Sequence, residues 1–128
     1  MMEVGESTAE LFKALMHPTR LAILEMLRNG EECVCHMTAM LGARQAYVSQ
    51  QLMVLREAGL VIDRRDGWNI YYHVTRPGVY AVLDAARSMV PNQQPKTLTF
   101  VLHGRLESCP CPKCHAAVTY VTGQALLP

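Results

Sequence analysis

The sequence predicts a mainly α fold with a small β-hairpin, a winged helix-turn-helix, and three observations carry that expectation. In LGARQAYVSQQLMVLREAG, residues 41–59, Val48, Leu52 and Leu55 recur at i, i+4 and i+7, so a helix starting near Arg44 has one apolar side to bury. A short apolar helix, His36 to Leu41, precedes it across Gly42, which completes a helix-turn-helix pattern. Two strand-like runs, Leu60 to Arg65 and Trp68 to Thr75, follow at once and are parted by Asp66-Gly67, a strong hairpin signal. A hairpin directly after a helix-turn-helix is a wing.

The remaining elements fall around this centre. Ser7 to Met16 reads as a helix, with Ser7 as N-cap, Glu10 three residues later, and Leu11, Phe12 and Leu15 on one side. Pro18 opens a second helix whose buried side is Leu21, Ile23, Leu24 and Leu27, and Asn29-Gly30 ends it. Val79 to Val90 resumes the helical period through Val79, Val82, Leu83, Ala86 and Met89. The wing separates this last helix from the first three, so it is expected to form a dimer interface with the helix at Ser7. Two-fold symmetry then matches a palindromic duplex site. Residues 1–90 are read as one DNA-binding and dimerisation domain.

Gln45, Ser49 and Gln50 lie off the apolar stripe of the central helix. Amide and hydroxyl groups of this kind exchange hydrogen bonds with base edges, Gln matching the paired donor and acceptor of adenine. The bland alternative is a polar face that meets water. Charge favours the first reading. Residues 1–43 carry three basic and six acidic side chains, residues 44–76 five and three, and residues 77–128 four and two, so the middle third is locally positive. Arg44, Arg56, Arg64, Arg65 and Arg76 lie in or after the central helix, where guanidinium groups meet phosphates, and Arg64 and Arg65 sit near the wing tip.

The five cysteines are an odd number and fall in two clusters. No apolar run reaches the ~18 residues of a membrane helix, and MMEVGESTAELFK lacks the form of a signal peptide, so a cytoplasmic protein with reduced thiols and no membrane partner is expected. There, clustered cysteines point to metal or redox chemistry. Cys33 and Cys35 in EECVCHMT chelate together only at a helix beginning, which is where Met37, Met40 and Leu41 place them. A thiolate at a helix N-terminus is also favoured by the macrodipole. Beyond Val90, PNQQP reads as a linker, and residues 91–128 form a short cysteine-rich tail in which two short strands flank CPCPKC. Its Cys111-Pro-Lys-Cys114 resembles a zinc-ribbon knuckle, and Cys109 makes three thiolates within six residues.

Taken together, residues from about Ala9 to Met89 resemble the ArsR/SmtB family of metal-responsive winged-helix repressors. HPTRLAILEML resembles the family's second-helix signature, ECVCHM its metal-site box, VSQQLMVLREAGLV its recognition helix and DGWNIYYHVT its wing. The resemblance implies a homodimer that sits on double-stranded operator DNA when metal-free and leaves when a soft metal or metalloid binds. Gln45, Ser49 and Gln50 are then base-facing, and Cys33 and Cys35 are metal ligands. This chain departs from the family at Thr38, where arsenic-sensing members often add a third cysteine, and at His36, which replaces Asp. Arg44 and Tyr47 replace the recognition helix's opening Ser and small residue and join the DNA-facing set. The family's other zinc site has no counterpart between Gly78 and Val90.

Two ligand sets stay open. Cys33 and Cys35 join Cys109, Cys111 or Cys114, three thiolates suiting trivalent arsenic and four suiting zinc or cadmium. Alternatively the tail holds structural zinc alone and the CxC pair senses separately. The expected function is a repressor induced by arsenite, with cadmium, lead or zinc as other inducers. The nearest rival is a thiol redox-sensing repressor on the same cysteines. A thiol enzyme built on Cys111 and Cys114 lacks the βαβ pattern it needs, so no enzyme activity is expected.

Overall fold

A computed structural model describes residues 2–91, with side chains from Gly5 onward. The tail reading, including Cys109, Cys111 and Cys114, falls on residues 92–128, outside the described residues. The order of elements is α1 (Met2–Leu15), α2 (Pro18–Met26), β1 (Glu32–Cys33), α3 (Val34–Leu41), α4 (Gln45–Glu57), β2 (Val61–Asp66), β3 (Asn69–Val74) and α5 (Val79–Ser88). This is a mainly helical winged helix-turn-helix with a three-stranded antiparallel sheet in the order β1-β3-β2.

The expected apolar stripes form the core. Val48, Leu52 and Leu55 of α4 are fully buried against Ile23 and Leu24 of α2 and Met37 of α3. Pro18 stands at the start of α2, and His17 caps it, its Nδ1 accepting from the Thr19 amide at 3.1 Å. A nitrogen that accepts carries no proton, so the neutral ring bears its hydrogen on Nε2. Gly42 ends α3 in the left-handed conformation, φ 60°, which lets the chain turn sharply into α4.

Five sequence expectations are corrected. Helix α1 begins at Met2, so Ser7 is interior to it and not its cap. Neither proline nor a turn pair interrupts the residues before Ser7, and a cap residue permits a start without imposing one. The hairpin turn is Gly67-Trp68, because Asp66 pairs with Asn69. Gly67 at φ 61° takes the first central position, where primed turns need a positive φ, and this moves Trp68 out of its strand to the tip. Phe12, expected on the buried side of α1, is exposed, and α5 stops at Ser88 with Met89 and Val90 in the open. Lastly, the sheet has a third strand. Glu32 and Cys33 pair with Tyr72 and Tyr71, so the segment carrying the first cysteine belongs to the wing's own sheet.

Helix α5 is tied to α2 by a charged cluster. The Glu25 carboxylate, 1% exposed, accepts from Arg28 Nε and Nη2, both at 2.8 Å, and from Arg87 at 2.5 Å. Arg28 also reaches Asp84 at 2.8 Å and stacks 4.5 Å from the Tyr80 ring centroid, while the Tyr80 hydroxyl donates to the Leu24 carbonyl at 2.6 Å. Burial alone pushes the Glu25 carboxyl up, but the hydrogen bond from Arg28 and the charges of Arg87 and Arg28 outweigh it and hold the group below its ordinary value. Burial next to Glu25 pushes the Tyr80 phenol well up. No helix among the described residues is long and apolar enough to cross a membrane.

Candidate nucleic-acid interface and thiol pair

Helix α4 buries one side and leaves Arg44, Gln45, Tyr47, Ser49 and Gln50 exposed on the other, as its spacing predicts. Arg44 stands at the N-cap with no side-chain capping bond, and the first turn carries no acidic residue. Amides at that end thus retain free donors beside a guanidinium, the arrangement that receives a phosphate. Tyr47 is less free. Its hydroxyl lies 3.4 Å from His17 Nε2 and 3.2 Å from Thr19 Oγ1, so the bulky residue at this position braces α4 against the start of α2.

The two arginines of the wing differ. Arg64 donates to Glu31 through Nε at 3.1 Å and Nη2 at 2.6 Å and lies 4.8 Å over the Tyr71 ring. Arg65, one residue on, points from the opposite face of the strand and is exposed. Arg56 is paired with Asp63 at 3.1 Å, which ties the end of α4 to the wing.

Cys33 is the N-cap of α3, in extended conformation (φ −81°, ψ 154°), and its Sγ accepts from the His36 amide at 3.2 Å. It is fully buried, whereas Cys35 is only half-buried. The two are joined as a disulfide with their Cα atoms 5.4 Å apart, so the helix start brings both sulfurs to one side. Strand register then sets a row across the sheet: Cys33 opposite Tyr71, and Tyr71 opposite Arg64. Directly opposed residues share a face and touch, so the thiol pair, the tyrosine and the clamped arginine form one contiguous line. Sequence reasoning missed this line because it missed β1 and set the hairpin turn one residue early, at Asp66-Gly67, which would have placed Arg64 opposite Asn69; the observed turn at Gly67-Trp68 places it opposite Tyr71. His36 is buried, 3.9 Å from Glu32. Among the described residues, no group of three or more His, Cys, Asp and Glu is placed to hold a metal.

A recognition helix with an exposed polar face, joined to a wing in one small core, defines a DNA-binding transcriptional regulator and not an enzyme. The profile of the bacterial regulatory proteins of the arsR family matches residues 17–63. An uncharacterised HTH-type transcriptional regulator of Methanocaldococcus jannaschii is 47% identical over 57% of this chain and 84% of its own length. The arsenical resistance operon repressor of Escherichia coli is 40% identical over 52% of this chain and 57% of its own. Among solved structures, the homodimeric winged helix-turn-helix DNA-binding domain of a Mycobacterium bovis protein matches with a TM-score of 0.62 and 28% identity, over 68% of this chain and 83% of that one. The chain belongs to the ArsR/SmtB family of winged-helix regulators.

Proposed function

We propose that the protein is a dimeric repressor that holds operator DNA while Cys33 and Cys35 are reduced and unligated, and releases it when a soft metal or metalloid engages them. The carrying observation is the row from Cys33 through Tyr71 to Arg64, which puts the first thiol on the sheet of the wing and at the cap of α3. Whatever repositions Cys33 therefore acts on the wing directly and on α4 through α3, which packs against it. Support for the inducer class comes from chemistry and from likeness. Two sulfurs on one side of a helix start suit a thiophilic ion, and a relative is named an arsenical resistance operon repressor.

Trivalent arsenic takes three thiolates, so in this reading Cys109, Cys111 or Cys114 of the 91–128 tail completes the set; zinc or cadmium takes a fourth. Arg44, Gln45, Ser49 and Gln50 face the duplex, with Tyr47 at the edge of the contact and Arg65 on the wing. Arg64 serves mainly to hold the sensor. The dimer forms through α1 and α5, between which Phe12, Leu15, Leu21, Val82, Leu83 and Val90 line an apolar groove of about 430 Å³. A surface of that kind is an association site.

A second reading is favoured by one observation, the disulfide between Cys33 and Cys35, which makes the same pair a redox switch. Cys33→Ser separates function from folding, because a serine hydroxyl can also cap α3 by accepting from the His36 amide. With a duplex selected from a random pool by the reduced, metal-free protein, anisotropy is expected to give Cys33→Ser an affinity close to wild type. Arsenite weakens the wild-type complex about tenfold, within the usual 5–150-fold range of allosteric coupling, and leaves the variant unchanged. Loss of duplex binding by the reduced variant overturns the proposal. Release of wild type by peroxide but not by arsenite transfers it to the redox reading.

A further inference from the structure

The two cysteines of the pair are unequal. Cys33 is fully buried behind Tyr71, with its sulfur held by the His36 amide at the start of α3. Cys35 opens onto a cleft of about 410 Å³ whose other walls are Val34, Gln45 at the first turn of α4, and Trp68, Asn69 and Ile70 at the end of the wing. That volume falls within the range of small-molecule pockets. Trp68 is the single tryptophan of the chain and is fully exposed at the tip, so nothing in the fold requires an indole there.

We infer that this cleft is a thiolation site: a low-molecular-weight thiol forms a mixed disulfide with Cys35, and its body lies between the first turn of α4 and the wing tip. The inference rests on the redox reading of the pair and names the adduct that reading lacks. The incoming thiolate attacks Cys35 Sγ, its sulfur bonds to Cys35, and the Cys33–Cys35 bond breaks. The electron pair leaves on Cys33, which takes a proton from water. One disulfide replaces another, so no oxidant or reductant is consumed. Burial closes Cys33 Sγ to direct attack, and the His36 amide with the aligned dipoles of α3 stabilises negative charge on it, so Cys33 is the leaving sulfur and Cys35 the one that keeps the adduct. The adduct then stands against Gln45 and Trp68, which belong to the two elements that approach DNA.

The test uses the full chain, oxidised, incubated with reduced glutathione as probe, quenched in acid and mapped by peptide mass spectrometry while Trp68 emission is followed. The expected result is glutathione on Cys35, a free thiol on Cys33 and a changed emission. An adduct on Cys33, reduction straight to the dithiol with no adduct on either, or an adduct on Cys35 that leaves the emission unchanged overturns the inference. Cys33→Ser treated with glutathione disulfide provides a stable adduct, since the competing thiol is gone, and is expected to bind the selected duplex at least tenfold more weakly until dithiothreitol removes it. If that adduct forms on Cys35 and duplex affinity is unaltered, the regulatory role falls. If the reduced protein binds no duplex at all, the proposed function fails instead, while the adduct map and the emission still decide the site.

Discussion

Two junctions in this molecule use the same parts to different ends. Where α5 meets α2, Arg28 pairs with Glu25 and stacks on Tyr80; where the wing meets β1, Arg64 pairs with Glu31 and stacks on Tyr71. In the first, the carboxylate is 1% exposed and takes a second arginine, Arg87. In the second, the Arg64 side chain is 48% exposed and that of Glu31 35%. A charge pair shut away from water is costly to open, whereas one washed by water exchanges partners at little cost. The first therefore fixes the helix expected at the dimer interface, and the second joins wing to sensor without locking them.

The largest effect is expected at the buried junction. Glu25→Gln keeps the volume but leaves Arg28 and Arg87 without their shared carboxylate, and loss of one partner of a buried pair costs about 3 kcal/mol, the lower end of the usual range because both arginines retain some contact with water. Urea denaturation measures it. The pH dependence has a definite sign. The folded-state value of Glu25 is depressed, so its contribution is present above the ordinary 4.5 and lost as pH falls through the lowered value. The wild type should lose this increment of stability on acidification, and Glu25→Gln should lack that part of the acid limb.

At the exposed junction Arg64→Ala is expected to leave stability close to wild type, as loss of a water-washed ion pair does. Its signature lies in coupling. If Arg64 holds the sensor row, the substitution leaves duplex affinity of the reduced protein near wild type and shrinks the ratio between reduced and oxidised or arsenite-treated affinities. If Arg64 instead contacts phosphate, affinity falls equally in every state and the ratio stands. Anisotropy titrations under both conditions separate the two.

This contrast also shows what the sequence could reveal. The stripe of Val48, Leu52 and Leu55, the proline opening α2 and the exposed set Gln45, Ser49 and Gln50 were legible because a helix repeats its pattern over several turns. The start of α3 at the cysteines was legible for the same reason, since Met37 and Met40 fix its phase. Strand β1 was not, because Glu32–Cys33 is two residues long and two residues cannot show alternation. Nor was Glu25, which looks like an ordinary surface charge until Arg87, sixty-two residues later, is folded against it. The turn slipped by one because Asp66-Gly67 and Gly67-Trp68 both supply the glycine a primed turn needs; only the pairing of Asp66 with Asn69 decides between them. Local pattern carries elements and exposed faces, whereas contacts made by distant segments set which charges are spent within the protein and which are left for a partner.

That last distinction gives the smallest and sharpest test. Arg64 and Arg65 are adjacent and chemically identical, yet strand alternation puts one against Glu31 and Tyr71 and leaves the other facing water. A free guanidinium that neutralises one phosphate contributes about one unit to the slope of log affinity against log salt. Arg65→Ala should therefore lower that slope by about one and weaken binding uniformly across duplex sequences, while leaving the response to arsenite or oxidation unchanged. Arg64→Ala should do the reverse, sparing the slope and altering the response. Should the two variants exchange these phenotypes, the row from Cys33 to Arg64 does not carry the signal, and the wing is coupled to the thiols through α3 and α4 alone.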